Sequence, residues 1–323
     1  MTARDERVDA IERWLAEVHD TPLTDLRPAS EDASFRRYFR VDDAASATSF
    51  IVMDAPPDKE DTAPFIKVTQ MLRDGDVHAP AIIASDPEQG FLLLEDLGTR
   101  TYLPHLQDDA DGLYSDAIDA LLKMQAIDVT DKDLPPYDDA FLRTEMQLFD
   151  DWYADRHLGK PLTASQLDAL AGIKQCLVDN SLLQPQVFVH RDYHSRNLMV
   201  LEHDNPGVID YQDAMHGAIT YDLVSLFKDC YIEWPRERVV GWVQTYLQRS
   251  SLDCSHEEFL RWFDLMGLQR HLKVLGIFCR LYYRDGKSQY LDDLPLVKRY
   301  VMNTCTLYPE LAPMQRLLEE LDG

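Results

Sequence analysis

The feature that most constrains the fold of this chain is the stretch from Gln186 to Asp213, which reads QVFVHRDYHSRNLMVLEHDNPGVIDYQD. Three short apolar runs alternate there with a loop crowded with polar groups and with a turn at 204–207. Short apolar runs bounded by turn residues are typical of buried strands. The stretch therefore predicts a small hairpin that carries a polar loop.

Three polar side chains of this stretch are candidates for chemistry. Asp192 and Asn197 lie five residues apart in the polar loop, and Asp210 follows the third apolar run. Adjacent hairpin ends can bring such side chains to one point, and Mg²⁺ prefers carboxylate and amide oxygens. Phosphoryl transfer to a hydroxyl uses such a metal together with a carboxylate near the acceptor. We therefore predict that Asp192 is catalytic and that Asn197 and Asp210 are metal ligands.

Hydrophobic periodicity divides the chain into a strand-rich part and a helical part. One helix at 60–73 interrupts the strand-rich part, and Pro22 and Pro28 bracket a short link before it. The strand-like runs of this part are 34–43, 49–57, 80–84 and 91–97. Later patterns are mostly helical, including a capping box at Thr163. The sequence predicts an α+β chain with a small N-terminal lobe, 1–96, and a larger helical C-terminal lobe, 97–323.

Charge and cysteine usage limit the partners. The net charge of −25 argues against nucleic acid and anionic membranes, because both need a basic surface. No apolar run approaches the roughly 18 residues of a membrane span. The five cysteines form no CxxC pair, which indicates a reduced compartment without structural zinc. We expect a cytoplasmic protein with a small-molecule substrate and without an obligate protein partner.

Motifs in the same region carry a family resemblance. VHRDYHSRNLM resembles the catalytic loop of the kinase-like phosphotransferases, H-x-D-x-x-x-x-N, and VIDYQDA resembles their metal-binding segment. Tyr221-Asp222-Leu223 resembles the downstream acid that supports the catalytic loop. Because D-F-G and A-P-E are missing, the resemblance is to the aminoglycoside-phosphotransferase-like branch. It implies a bilobal protein-kinase-like fold, with ATP and Mg²⁺ as cofactors.

The resemblance extends to a narrower group of kinases. RRYFRV, IVMDAPP, FLLLEDLG, HRDYHSRNLM and VIDYQDAMHGAITYDLVSL together resemble the bacterial anomeric sugar kinases for N-acetylmuramate and N-acetylglucosamine. This implies formation of a sugar 1-phosphate in cell-wall recycling. Two other hypotheses stay open: a small-molecule kinase for an aminoglycoside, choline or another amine, and a nucleotide-binding pseudokinase.

The nucleotide site departs from the kinase pattern. The turn at 29–34 lacks the usual glycines, and Met53 stands where the third strand usually carries a lysine. Arg36 or Arg37 on the second strand could supply the missing charge. The presence of these arginines is explained equally well if they lie on a solvated strand edge. The resemblance also implies that the segment 94–97 offers backbone groups to adenine. The candidates for nucleotide binding are therefore Arg36, Arg37, Leu94, Glu95 and Leu97.

Sugar binding needs several hydrogen-bonding side chains. Our candidates for substrate binding are Glu145, His194, Arg196 and Asp213. Arg196 could also pair with a transferred phosphate or with the lactyl carboxylate of N-acetylmuramate.

Overall fold

The structure is a computed structural model that describes residues 5–31, 35–46, 48–130 and 134–322. An N-terminal antiparallel sheet and a larger helical part confirm the predicted α+β class. Among the helices within these ranges, none is long and apolar enough to cross a membrane.

Contacts divide the chain into two compact units. The described residues of Met1–Thr101 and Leu198–Asp213 form the first, called here the sheet unit. Those of Tyr102–Asn197 and Ala214–Gly323 form the second, called here the helical unit. The predicted lobe boundary between residues 96 and 97 stays a prediction.

The sheet unit contains a five-stranded antiparallel sheet in the order β1-β2-β3-β5-β4. Its strands are β1 (Leu23–Glu31), β2 (Arg37–Asp43), β3 (Ser49–Asp54), β4 (Ile82–Asp86) and β5 (Phe91–Glu95). The inner strands β3 and β5 supply core residues such as Val52 and Leu93, and helix α1 (Glu6–Val18) packs Ile11 and Trp14 against them. A second helix, α2 (Ala63–Asp74), follows β3.

Strand β1 corrects one expectation. The short link that we expected between Pro22 and Pro28 is wrong, because these residues belong largely to an edge strand. Proline is tolerated there, since an edge strand leaves one row of its N–H groups unpaired. The pairing with β2 shifts between Pro28 and Ser30. Residues 32–34 of the glycine-free turn lie outside the described residues.

The helical unit is built around one long buried helix, α8. The α-helices of this unit are α3 (Tyr102–Gln125), α4 (Asp139–Leu148), α5 (Ala164–Leu183), α6 (Tyr221–Phe227), α7 (Arg236–Arg249), α8 (His256–Asp285), α9 (Leu294–Leu307) and α10 (Ala312–Asp322). A π-helical segment, Phe149–His157, directly continues α4. Residues 263–276 of α8 are all buried, and the helix packs on α4, α5, α6, α7 and α9. The capping box at Thr163 is confirmed.

The polar loop is flanked by two different strand pairs. Strand β6 (Gln186–Val189) pairs with β9 (Met215–Ala218), while β7 (Leu198–Met199) pairs with β8 (Gly207–Val208). The single hairpin that we expected is therefore wrong in one respect. The first apolar run forms β6, and its partner β9 begins only after Asp213, the last residue of the stretch that we predicted to form the hairpin.

Candidate active site

The backbone of the polar loop is held by a buried acid. Oδ2 of Asp222, at the start of α6, accepts a hydrogen bond from the N–H of His190 at 2.7 Å, and Oδ1 accepts one from the N–H of Arg191 at 3.0 Å. Burial raises the pKa of Asp222 to about 7, although both backbone donors act in the opposite direction. These contacts confirm that Asp222 supports the loop.

Arg191 has a backbone conformation that orients its neighbour. Its φ of 78° is uncommon for a long side chain and costs on the order of 1–3 kcal/mol. The surroundings fix it, because Asp222 accepts from its N–H and Nη1 of Arg270 donates to its carbonyl oxygen at 3.1 Å. The Arg191 side chain reaches the buried Glu145 at 2.8 Å. The next side chain, Asp192, stays 41% exposed.

Asp192 is an ionised acid close to two buried cations. Nη2 of Arg270 lies 3.9 Å from its Oδ1, and its own backbone N–H donates to Nδ1 of His190 at 3.2 Å. Desolvation opposes ionisation of Asp192, but the positive charges of Lys273 and Arg270 outweigh it and lower the pKa to about 2. The carboxylate is therefore charged at neutral pH and still reaches solvent.

A second acid, Glu145, lies beneath the loop. Oε1 of Glu145 lies 2.9 Å from Nζ of Lys273, and its carboxylate also accepts from Tyr137 and Gln269. Burial opposes its charge, but Lys273 and Arg191 keep the pKa of Glu145 below its ordinary value. The structure thus surrounds Glu145 with protein donors. Its predicted contact with substrate stays a prediction.

Asn197 is oriented by the catalytic loop itself. Its Nδ2 donates to the carbonyl oxygen of Asp192 at 3.0 Å, and its backbone N–H donates to the carbonyl oxygen of His194 at 2.9 Å. Because the loop uses the nitrogen end of the amide, Oδ1 is the atom suited to a metal.

Asp210 belongs to the sheet unit and follows β8. It has a φ of 64°, a left-handed conformation that aspartate tolerates better than most residues, and its Oδ1 accepts from Nε2 of Gln212 at 3.0 Å. No cluster of three or more His, Cys, Asp or Glu that could hold a metal occurs among the described residues. Mg²⁺ binds proteins through one or two carboxylates and completes its shell with phosphate and water. The assignment of Asn197 and Asp210 to one metal stays a prediction.

The remaining predicted substrate residues divide between the units. His194 and Arg196 both contact the ring of Tyr231, with the His194 ring 5.5 Å and the Arg196 guanidinium carbon 3.4 Å from its centroid. Burial lowers the pKa of His194, which favours the neutral ring at pH 7. Asp213 lies exposed in the turn before β9, in the sheet unit. The structure thus brings His194 and Arg196 together in the helical unit.

The proposed adenine segment lies at the end of β5. Leu94 and Glu95 are the last residues of that strand, and Leu97 follows it. The backbone N–H of Glu95 donates to the carbonyl oxygen of Ala81 at 2.8 Å. Its carboxylate lies 3.2 Å from Nε2 of His78, so both groups of Glu95 already have partners within the sheet unit.

The two candidate arginines of the second strand have different positions. Arg37 begins β2, donates to the buried Asp54 at 2.5 Å and also pairs with Asp5. Arg36 lies just before β2 and is half-buried. Met53 is fully buried in β3, as an apolar residue should be. Position 53 therefore does not supply the positive charge that a lysine usually provides in kinases.

Sequence reasoning missed the cations of α8. Arg270 and Lys273 are almost fully buried, and both lower the pKa of Asp192. A signal was present, because Gln269, Arg270 and Lys273 interrupt a stretch of α8, 263–279, in which most residues are apolar. Charged residues are rarely buried without a partner, so such an interruption indicates a polar network.

Comparison with known proteins defines the class. The model of the phosphotransferase enzyme family matches residues 25–263. The chain belongs to this family, and the loop with Asp192 and Asn197 lies inside the matched region.

Individual relatives narrow the similarity. The chain is 47% identical to an N-acetylmuramate/N-acetylglucosamine kinase of Pseudomonas putida, over 100% of this chain and 99% of the relative. It is 50% identical to a kinase of the same name from Pseudomonas aeruginosa, over 94% and 90% of the two chains.

Solved structures share the fold at low identity. An ADP-bound aminoglycoside phosphotransferase matches with a TM-score of 0.61 at 16% identity, covering 93% of this chain and 98% of the other. The choline kinase of Streptococcus pneumoniae matches with a TM-score of 0.65 at 12% identity, covering 93% and 100%. These neighbours confirm the predicted kinase-like fold.

Proposed function

We propose that the chain is an ATP-dependent sugar kinase that phosphorylates the anomeric hydroxyl of N-acetylmuramate, N-acetylglucosamine or both. The product would be the sugar 1-phosphate, as in cell-wall recycling. Similarity to two Pseudomonas kinases over nearly the whole chain supports the substrate class. The structural observation that carries the proposal is Asp192, which is ionised by neighbouring cations and yet 41% exposed.

Asp192 would orient the acceptor hydroxyl and receive its proton. As the sugar oxygen bonds to the γ-phosphorus, the bond from that phosphorus to the β-phosphate oxygen breaks and ADP leaves. The hydroxyl proton passes to a carboxylate oxygen of Asp192. A carboxylate with a pKa of about 2 is a weak base, so it accepts this proton only late, when the new bond has acidified the hydroxyl. Its larger contribution is orientation.

Asn197 and Asp210 would hold Mg²⁺, and the metal when bound would neutralise charge on the phosphates. Leu94, Glu95 and Leu97 would border adenine. Arg36 and Arg37 are our candidates for the phosphates. Arg37 already pairs with Asp5 and Asp54, so a phosphate contact would require its guanidinium to be shared between these acids and the phosphate.

We propose that the sugar is contacted by His194, Arg196, Asp213 and Glu145. His194 and Arg196 have the strongest support, because both lie in the loop of Asp192 and on one aromatic ring. A cytoplasmic location fits this proposal, because ATP and recycled sugars are available there.

Phosphorus NMR of the product tests the proposal directly. The enzyme is incubated with ATP and Mg²⁺ and with N-acetylmuramate, N-acetylglucosamine, choline or an aminoglycoside in separate reactions. We expect a phosphate coupled to the anomeric proton from one or both amino sugars. A phosphate at C6, or turnover of the amines alone, would contradict the proposal. Absence of any product would support a pseudokinase instead.

A further inference from the structure

Helix α8 has a row of cations that begins beside Asp192. Arg270, Lys273, Arg280 and Arg284 are spaced three, seven and four residues apart, and Ile277 fills the gap in the same row. Residues at spacings of three and four share one face of a helix. Arg280 therefore lies two turns, roughly 10 Å, beyond Lys273 on this face.

The four cations differ in how their charge is compensated. Lys273 contacts Glu145 and the hydroxyl of Tyr221, both at 2.9 Å, and Arg284 donates to Asp285 at 2.7 Å. Arg270 donates to Tyr221 and lies near Asp192. Each of these three has an acid close by.

Arg280 is the exception. It is half-buried, and within the part of the chain that the structure describes, its buried Nε has no hydrogen-bond partner. Burial and the nearby charge of Arg284 lower its pKa, although Asp285 and Glu145 act in the opposite direction. A buried N–H group without a partner is costly, and an arginine fork suits a carboxylate. An anionic ligand would satisfy both requirements.

The surroundings of this row suit a sugar ring. Ile277 lies between Lys273 and Arg280 and is only partly buried, although α8 is buried at every position from 263 to 276. Next to it, Phe278 stacks on Tyr231, whose ring also contacts His194. An apolar side chain thus lies in the row between Lys273 and Arg280, and the Phe278–Tyr231 pair connects this part of α8 to the catalytic loop.

We propose that Arg280 binds the carboxylate of an acidic amino sugar whose anomeric hydroxyl lies at Asp192. This rests on the proposed function, and it assigns a residue that favours N-acetylmuramate over the neutral N-acetylglucosamine. The neutral sugar lacks the lactyl carboxylate, so Arg280 contributes nothing specific to its binding.

Arg196 is the alternative reader of that carboxylate. Its guanidinium is stacked on Tyr231, and its charge also interacts with Asp293. Its positive charge is therefore already shared with an aromatic face and an acid, whereas the buried Nε of Arg280 has no hydrogen-bond partner among the described residues. The geometry favours Arg280.

The test compares kcat/KM for the two amino sugars in wild type, Arg280→Ala, Arg280→Lys, Arg196→Ala and Arg284→Ala, measured by ADP release. We expect Arg280→Ala to lose about 10- to 100-fold on N-acetylmuramate, the range of one charge-assisted hydrogen bond, and to change N-acetylglucosamine turnover little. Arg280→Lys keeps the charge and should recover part of the loss. Arg284→Ala, with its own acid partner, should leave the ratio between the sugars unchanged.

The ratio of the two kcat/KM values does not depend on how much of a variant is folded, so partial unfolding cannot imitate the result. Equal losses on both sugars in Arg280→Ala would overturn the proposal, as would a selective loss in Arg196→Ala alone. If wild type phosphorylates neither sugar, the proposed function itself fails. If wild type phosphorylates only the neutral sugar, the proposed function stands and the assignment of Arg280 fails.

Discussion

Asp54 in the sheet unit and Asp192 in the helical unit both lie among basic side chains, but only one of them is enclosed. Arg7 and Arg37 donate to the two carboxylate oxygens of Asp54, each at 2.5 Å, and no part of its side chain is exposed. For Asp192 the contact with Arg270 is 3.9 Å, and 41% of the side chain is exposed.

This difference separates a structural acid from a functional one. Arg7 and Arg37 bind Asp54 directly, so the charges there satisfy one another and fix α1 to the sheet. At Asp192 the nearby cations are held by other partners, since Lys273 is bonded to Glu145 and Tyr221. They therefore favour the ionised carboxylate without covering it. An acid of this kind can still accept a proton from a ligand.

The largest effect that we expect concerns the enclosed acid. The double substitution Arg7→Ala with Arg37→Ala leaves the carboxylate of Asp54 buried without its counter-charges. We expect the free energy of unfolding to fall by about 3–5 kcal/mol, as for other broken buried ion pairs. Urea unfolding followed by circular dichroism measures it.

Arg13→Ala is the matched control on the same helix, because Arg13 is exposed and, within the described part of the chain, donates only to a backbone oxygen one turn away. Its effect should stay within about 0.5 kcal/mol. A double variant as stable as this control would show that Asp54 does not depend on its arginines.

A smaller effect concerns the charge of Asp192. The substitution Lys273→Met keeps the length of the side chain but removes the strongest of the cations that lower the pKa of Asp192. The pKa should therefore rise from about 2 toward the ordinary value of about 4. The ratio of kcat/KM between variant and wild type should fall by about twofold between pH 7 and pH 4, because a protonated Asp192 cannot accept the proton.

The lowered pKa of Asp192 also makes the stability of the protein depend on pH. A lowered pKa means that the ionised form favours the native state, and this contribution is present above about pH 4 and disappears as the pH falls toward 2. In Lys273→Met the pKa of Asp192 approaches its unfolded value, so most of this contribution to stability should be lost. Lys298→Met is the control, since Lys298 pairs with Asp322 near the C-terminus. A ratio that is constant with pH would contradict the role of Lys273.

Much of the fold could be predicted from local patterns, but two elements could not. Strand β1 contains Pro28, which local rules assign to a link, and only its edge position in the sheet permits it. The partner of β6 was also missed. Met215–Ala218 carries a glycine and a histidine, and its strand conformation comes from pairing with a distant segment.

For the candidate site, the sequence was informative about the loop and uninformative about its surroundings. The spacing of Asp192 and Asn197 identifies the motif without any structure. The role of Arg270 and Lys273 depends on α8 passing beneath the loop, which no local pattern contains. The same holds for Arg37, where a solvated edge and a closed ion pair with Asp54 give the same sequence signal.

The most direct test of the central claim is the turnover of Asp192→Asn, measured together with its stability. The amide keeps the size of the side chain but cannot take up the proton. We predict that kcat on the preferred amino sugar falls by about 10²- to 10⁴-fold, the usual contribution of a positioned base. The variant should stay folded with a single cooperative unfolding transition, although it loses the stabilisation that the ionised carboxylate contributes to the native state. A variant that retains kcat within about threefold of wild type would contradict the assignment of Asp192 as the catalytic base.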